Sequence, residues 1–348
     1  MKKRGTTDNL HNRFNLRRYE LPAPDEFDIP ADEMISPVTE LLIDNSKSII
    51  STNDSEDIPF TYSVNPYRGC EHGCIYCYAR PSHEYLGFSL GLDFETKITF
   101  KPEADKLLEK ELTRKNYKPD IINFSGNTDC YQPAERYLKL TRKCLQVAAR
   151  FNNPFVIITK SSLVRRDIDI ISDSASGHLA AVGITLSTLD PALASILEPR
   201  AASPSARLRT IELLSSAGVP VSIITSPVIP GLTDHEIPAI LKAGKEAGAK
   251  NASYAVLRLP YGVKELFVNW LIKNLPAKAE KVINRIRELR DGKLNDSETF
   301  TRMRGRGELA DTINNFFKLN AKKLGLDSSA PELRTDLFIR GGQIKLDF

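Results

Sequence analysis

Cys70-Glu71-His72-Gly73-Cys74-Ile75-Tyr76-Cys77 places three of the chain's five cysteines on one short loop with the spacing C-x₃-C-x₂-C. Thiolates are the ligands of iron–sulfur clusters, and a cubane has four irons, so three cysteines on one loop leave one iron open to another ligand. Structural zinc is the competing use. It needs a fourth ligand, and His72 lies between the first two cysteines, but zinc ligands normally come as two pairs far apart in sequence, and no second pair follows. Disulfides do not fit, because three cysteines in one turn cannot all pair.

The motif C-x₃-C-x-aromatic-C, with Tyr76 in the aromatic place, resembles the radical SAM superfamily. Asn65-Pro66-Tyr67-Arg68-Gly69-Cys70 and Cys77-Tyr78-Ala79-Arg80-Pro81-Ser82-His83 resemble its spore-photoproduct-lyase-like branch, the DNA repair photolyase type. The resemblance implies one [4Fe–4S] cluster on Cys70, Cys74 and Cys77, with S-adenosylmethionine (SAM) on the open iron. It implies reductive cleavage of SAM to a 5′-deoxyadenosyl radical that abstracts hydrogen from a substrate. The cofactor carries the difficult step, while the protein supplies position and exclusion of water. A reductant such as flavodoxin or ferredoxin is then a required partner.

Outward from this loop, a chain of 348 residues with 41% hydrophobic and 26% charged residues is long enough for one large barrel-sized domain with extensions, or for two domains. It contains no run of eighteen apolar residues, and its basic start is followed by no apolar stretch, so neither a membrane span nor a signal peptide is expected. A cytoplasmic monomer is the expectation. The net charge of +4 permits a nucleic-acid partner without requiring one.

Residues 1–60 show little periodicity and read as an extension, partly disordered, in which Leu41-Leu42-Ile43 and Ile49-Ile50 can lie against a barrel. Its basic residues Arg13, Arg17 and Arg18 read as a solvated tail, with nucleic-acid contact as the alternative. Residues 61–260 read as the catalytic unit. Strand-like runs at 96–100, 120–125, 154–159, 180–187, 219–226 and 252–258 are separated by helical stretches, such as the face made by Tyr137, Thr141, Cys144, Leu145 and Ala148. Six βα units predict an α/β fold, an incomplete (βα)₆ radical SAM barrel with a lateral opening and its chemistry at the carboxyl ends of the strands. Residues 261–348 read as a C-terminal helical cap, with helices on both sides of Pro276 and another over 308–324.

Each strand end offers polar groups for SAM. After the second run, Asn127, Thr128 and Asp129 can accept from the ammonium, although an Asx turn uses the same residues. Lys160, after the third, suits a carboxylate, with a rim lysine reaching solvent as the alternative. Ser187, after the fourth, can hold the ribose diol or cap a helix. Arg200 can clamp a carboxylate or pair with Glu198. Val228 and Ile229, in a loop resembling the superfamily's adenine contact, are expected to flank the ring, and Tyr76 to line the cofactor site. These assignments are implied by the resemblance.

Cys144 falls on an apolar helical stripe and reads as core. Cys130 follows the proposed SAM-binding turn, where a thiol can donate hydrogen to a substrate radical. Photoproduct lyases place such a cysteine just before a Ser-Asp pair, a position held here by Gly126. His72, Arg80 and His83 flank the cluster loop as weaker substrate candidates. Arg302, Arg304 and Arg306 form the densest basic cluster, read as a solvated face before a nucleic-acid groove. The substrate indicated is a nucleic-acid base or lesion. Radical modification of a peptide, tRNA or small metabolite is the alternative within enzymes, and a non-catalytic cluster- or zinc-bearing nucleic-acid-binding protein the alternative outside them.

Overall fold

The computed structural model describes residues 4–14 and 38–341. Among these residues ten strands form two sheets: Glu40–Ile43 (β1), Ile50–Thr52 (β2), Tyr62–Val64 (β3), Tyr67–Arg68 (β4), Lys97–Phe100 (β5), Ile122–Phe124 (β6), Phe155–Thr159 (β7), Ala180–Thr185 (β8), Val221–Val228 (β9) and Asn251–Val256 (β10). The larger sheet has the order β10-β9-β8-β7-β6-β3-β2. Its strands β3, β6, β7, β8, β9 and β10 are parallel and adjacent in chain order, with β2 antiparallel on the outside of β3. The edges β2 and β10 do not pair, so the barrel is incomplete, as predicted.

The number of parallel strands agrees with the sequence reading, but their membership differs. The run at 96–100 forms β5, which pairs with β1 and β4 in a separate three-stranded sheet. The first barrel strand is instead β3, which leads through β4 into the cluster loop. A strand of three residues, of which only Val64 is fully buried, has too few positions to show a period. The central strand β8, by contrast, is buried at all six positions, as expected of a parallel strand covered on both faces.

Connecting helices cover the outside of the sheet. Leu140–Arg150 turns Leu140, Cys144, Leu145 and Ala148 inward, so Cys144 is a core residue as read from its spacing. At the C-terminal side, Val263–Asn274 and Pro276–Glu288 meet at Leu275, with the proline in the first turn, where its missing N–H costs nothing. They pack Leu266, Phe267, Trp270 and Val282 into a cluster with Ile75, Tyr76, Ile229 and Leu232, so these helices form the floor under the cluster loop. Helix Gly307–Lys323 joins the main core through Ala310, Ile313 and Phe317.

Part of the N-terminal extension is tied down. The N–H groups of Gly5 and Thr6 donate to Glu95, Asn12 donates to the carbonyls of Glu84 and Phe88, and Leu41 and its neighbours pair as β1 with β5. Arg13 is no solvated tail: its Nε lies 2.7 Å from Glu84 Oε2, and its guanidinium carbon sits 3.7 Å from the centre of the Tyr261 ring. Arg17 and Arg18 lie outside the described residues.

The gap between the sheet edges is spanned by side chains. Arg302, beyond β10, forms an ion pair with Asp57 in the β2–β3 connection, and Asp57 also accepts the Phe300 N–H. The other residues of the basic cluster are engaged too: Arg306 with Asp296 and Glu298, and Arg304 with the Asn314 side chain.

Candidate active site

The cluster loop needs left-handed backbone, and glycine supplies it. Gly69 has φ +76° and a Cβ there would lie 3.1 Å from His83; Gly73 has φ +68° and a Cβ would lie 2.7 Å from a Glu95 oxygen. Backbone turns close the loop, Cys77 N to Cys74 O at 3.2 Å and Gly73 N to Cys70 O at 3.4 Å. It is clamped from several sides. Cys70 N donates to Phe94 O, Ile75 N to Leu197 O, and the Gln132 side chain bonds both Glu71 N and Gly69 O. Arg80, fully buried, donates to Cys74 O at 3.1 Å and pairs with Glu95 at 2.6 Å. Arg80 is thus a support of the loop. His83 is buried against Phe88 and Phe94, and burial lowers it to about 4, so it is a neutral packing residue.

Cys70, Cys74 and Cys77 open onto one cavity of about 340 Å³ that also receives the carboxyl ends of the barrel strands. Burial pushes all three thiols up; Asp129 and the other two sulfurs add to this at Cys70, and Glu198 at Cys74. Bound metal reverses that preference by supplying the positive charge that thiolates lack here. Among the described residues no three His, Cys, Asp or Glu side chains converge on a point suited to a single ion. A cubane is different, because each of its irons takes its own external ligand. The donor set fits a cluster better than zinc.

Of the proposed SAM contacts, the structure brings Tyr76, Asn127, Thr128, Asp129 and Lys160 to the cavity wall with the three cysteines. Asn127 donates to Ser82, and Thr128 accepts from Asn65 and donates to Tyr67 O at 3.3 Å. The Asp129 carboxylate accepts the Thr159 hydroxyl and the Tyr131 and Lys160 N–H groups, and lies 3.4 Å from His72 Nδ1. Burial pushes Asp129 up, but His72 and these donors outweigh it and hold it at about 2. Lys160 Nζ reaches toward Ser226 O at 3.4 Å and sits 5.9 Å from the Tyr76 ring centre, with no carboxylate paired to it among the described residues.

Five other expected contacts lie off the cavity. Cys130 is fully buried behind Ser125, with its sulfur 3.4 Å from Ser125 Oγ and its carbonyl accepting from Thr141. Burial keeps the thiol well above its ordinary range, and the wall residue Ser125 separates it from the cavity, so it is not placed as a hydrogen donor. Replacing Cys130 by alanine is expected to leave the products of turnover unchanged and to cost about 1 kcal/mol of stability, the scale for removing one buried heavy atom; product analysis and urea unfolding check both.

Ser187 is drawn into a buried network. It donates to Glu198 at 2.8 Å, lies 3.2 Å from Tyr76 Oη, and sits 2.8 Å from Ser226 O. Arg207 and Tyr76 complete the set around the same carboxylate. Glu198 therefore pairs with Arg207, not with Arg200. Arg200 points to the far side of the loop, 3.0 Å from Glu71, in a second cavity of about 360 Å³. Val228 and Ile229 are buried in the apolar core, and the β9 end presents Ser226 and Pro227 to the cavity instead.

Among the wall residues that sequence reasoning missed, three bear most directly on the site. Asn123 on β6 is buried with neither amide atom bonded, so it offers the cavity both a donor and an acceptor. Tyr78 donates to Gly126 O at 2.8 Å, and Arg258 follows β10. Tyr78 adjoins Cys77 and was discoverable as an aromatic beside the loop. Asn123 and Arg258 carry no local signal.

Residues 64–243 match the family model described as the radical SAM superfamily. An uncharacterized protein of Mycobacterium tuberculosis (strain H37Rv) is 35% identical over 234 residues, which is 67% of this chain and 68% of that protein. Among solved structures, spore photoproduct lyase complexed with dinucleoside spore photoproduct superimposes with a TM-score of 0.59 at 13% identity, covering 82% of this chain and 79% of that one. A variant of that lyase with bound AdoMet and dinucleoside spore photoproduct gives 0.58 at 13% identity, covering 82% and 78%. The family match spans the cluster loop and the ends of β6 to β9 that meet it, and this chain belongs to the radical SAM superfamily, whose cofactors are a [4Fe–4S] cluster and SAM.

Proposed function

We propose that this protein is a radical SAM enzyme with a single [4Fe–4S] cluster on Cys70, Cys74 and Cys77, acting in a lyase-like manner on a nucleic-acid base or lesion. The observation that carries the reading is the one cavity on which three thiols, Lys160 and the polar ends of successive barrel strands converge. When bound, the cofactors supply a 5′-deoxyadenosyl radical for hydrogen abstraction. The chain's own part is positioning. Lys160 offers the cofactor's carboxylate a cation, and Asn123 offers an unfilled amide. Asp129, saturated by its own donors, holds the loop between β6 and its helix against β7. The Glu198 network ties Tyr76 to the ends of β8 and β9, which keeps the cluster loop in register with the barrel. The nucleobase assignment draws on the likeness in fold to a lyase whose bound ligand is a dinucleoside, and on the aromatic and cationic residues Phe60, Tyr78 and Arg258 that share the cavity with the thiols. An electron donor of the flavodoxin or ferredoxin class completes the system.

Anaerobic reconstitution with iron and sulfide, followed by paramagnetic resonance of the reduced protein, tests the core of this reading. A cubane signal that changes on adding SAM, with 5′-deoxyadenosine formed under reduction, is the expected result. A cluster indifferent to SAM, or a protein that retains only zinc, overturns it.

A further inference from the structure

Beside the three thiols, the cavity wall includes the β2–β3 connection, Tyr78 next to Cys77, the end of β10 and Met303. Arg258 lies there half-buried. Its guanidinium carbon is 5.2 Å from the centre of the Tyr78 ring, Nη1 is 3.7 Å from Met303 Sδ, and Nε is buried with no hydrogen-bond partner. Among the described residues no carboxylate pairs with it. The nearby Asp57 is committed to Arg302 through both oxygens. Other buried arginines are provided for: Arg80 and Arg207 each face a glutamate, and Arg290 is wrapped by the carbonyls of Leu257, Thr301 and Arg302. Burial, with Arg302 adding its own charge, lowers Arg258 from the ordinary arginine value, although Tyr78 and Asp57 oppose this. A half-buried guanidinium with no counter-ion and a buried, unpaired Nε is partly desolvated, and an arriving anion would offset that cost.

We propose that Arg258 is the residue that binds the phosphate of a nucleic-acid substrate. Its planar fork matches two phosphate oxygens, and Phe60 on the same wall provides an aromatic surface for the adjoining base. The division of labour is by position. Lys160, near Tyr76, serves the cofactor, whereas Arg258, between Tyr78 and Met303 just past the edge strand β10, serves the substrate. This deepens the nucleobase reading above and rests on it.

The test is equilibrium binding to the reconstituted, SAM-loaded protein of two probes: a thymidine dinucleoside monophosphate and its uncharged methylphosphonate counterpart. The charged probe is expected to bind at least ~10-fold more tightly, the scale of a charge-assisted pair. Arg258→Gln should remove that preference, and Arg258→Lys, which keeps the charge without the fork, should retain part of it. Iron content and the SAM-dependent resonance change report whether each variant is folded and loaded. If both probes bind the unaltered protein equally, the role of Arg258 is overturned while the nucleobase reading stands. If neither binds, both are overturned, and Arg258-dependent binding of a short glutamate-containing peptide would then name a different substrate class. If Arg258→Gln keeps its iron but loses the response to SAM, the arginine belongs to the cofactor site and the proposal fails.

Discussion

Replacing Cys74 by serine is expected to remove the cluster and with it all measurable SAM cleavage. The Cys74 sulfur has little freedom to be replaced by a neighbour. Its carbonyl is held by Arg80 at 3.1 Å, and the next residue is bonded to Leu197 O, so the backbone cannot turn to present another ligand. A serine hydroxyl does not give up its proton to iron as a thiol does, and the two spare cysteines, Cys130 and Cys144, are buried away from the cavity. The loss should therefore exceed the roughly 10–100-fold typical of removing a residue that only supports a ligand. Iron and sulfide per chain, measured beside 5′-deoxyadenosine formation, decide the matter. Full iron content in the serine variant would remove Cys74 from the ligand set.

The second large effect is on stability. Arg207→Met is expected to destabilise the protein by about 3–5 kcal/mol, because it leaves the Glu198 charge buried without its cation. Both side chains are almost completely buried, and the pair lies between helix Pro204–Ser216 and the ends of β8 and β9. Urea unfolding at neutral pH measures the loss; a change below ~1 kcal/mol would mean that Tyr76 and Ser187 alone satisfy the carboxylate. The same pair sets an acid limit. Burial pushes Glu198 up, but Arg207, Lys160 and the Tyr76 hydroxyl outweigh it and hold the carboxyl at about 2 against an ordinary value of 4.5. A depressed folded value means that the contribution, about 3 kcal/mol, is complete above pH ~4.5 and is lost as the pH falls toward 2. Unfolding free energy followed through that window should decline in the unaltered protein and decline less in Arg207→Met.

Much of the machinery was readable because it is local. Three cysteines within eight residues, with Gly69 and Gly73 at the turns, announce a ligand loop whatever surrounds it. Strand and helix periodicity announced the parallel βα order in the same way, except where a strand was too short to repeat, as at β3. Errors gathered where a residue's role depends on direction. Ser187 and Arg200 stand near the right strand ends, but one faces the Glu198 carboxylate and the other faces Glu71 behind the loop. Cys130 directly follows the cavity residue Asp129 but packs inward behind Ser125.

The sequence by itself determined the cofactor chemistry, the α/β class and the open parallel barrel, since ligand spacing and hydrophobic period act over a few neighbouring residues. Only the tertiary structure decided which polar side chains meet the cofactors. Successive residues of a strand point to opposite faces, so a shift of one position exchanges cavity for interior, as between Ile224 and Ser226 on the cavity wall and the buried Thr225 between them. The bond from Tyr76 to Glu198, 122 residues away, and the absence of a carboxylate partner for Arg258 among the described residues follow from how the fold brings distant segments together. No local pattern encodes them, because a charge is costly or harmless according to what the fold brings beside it.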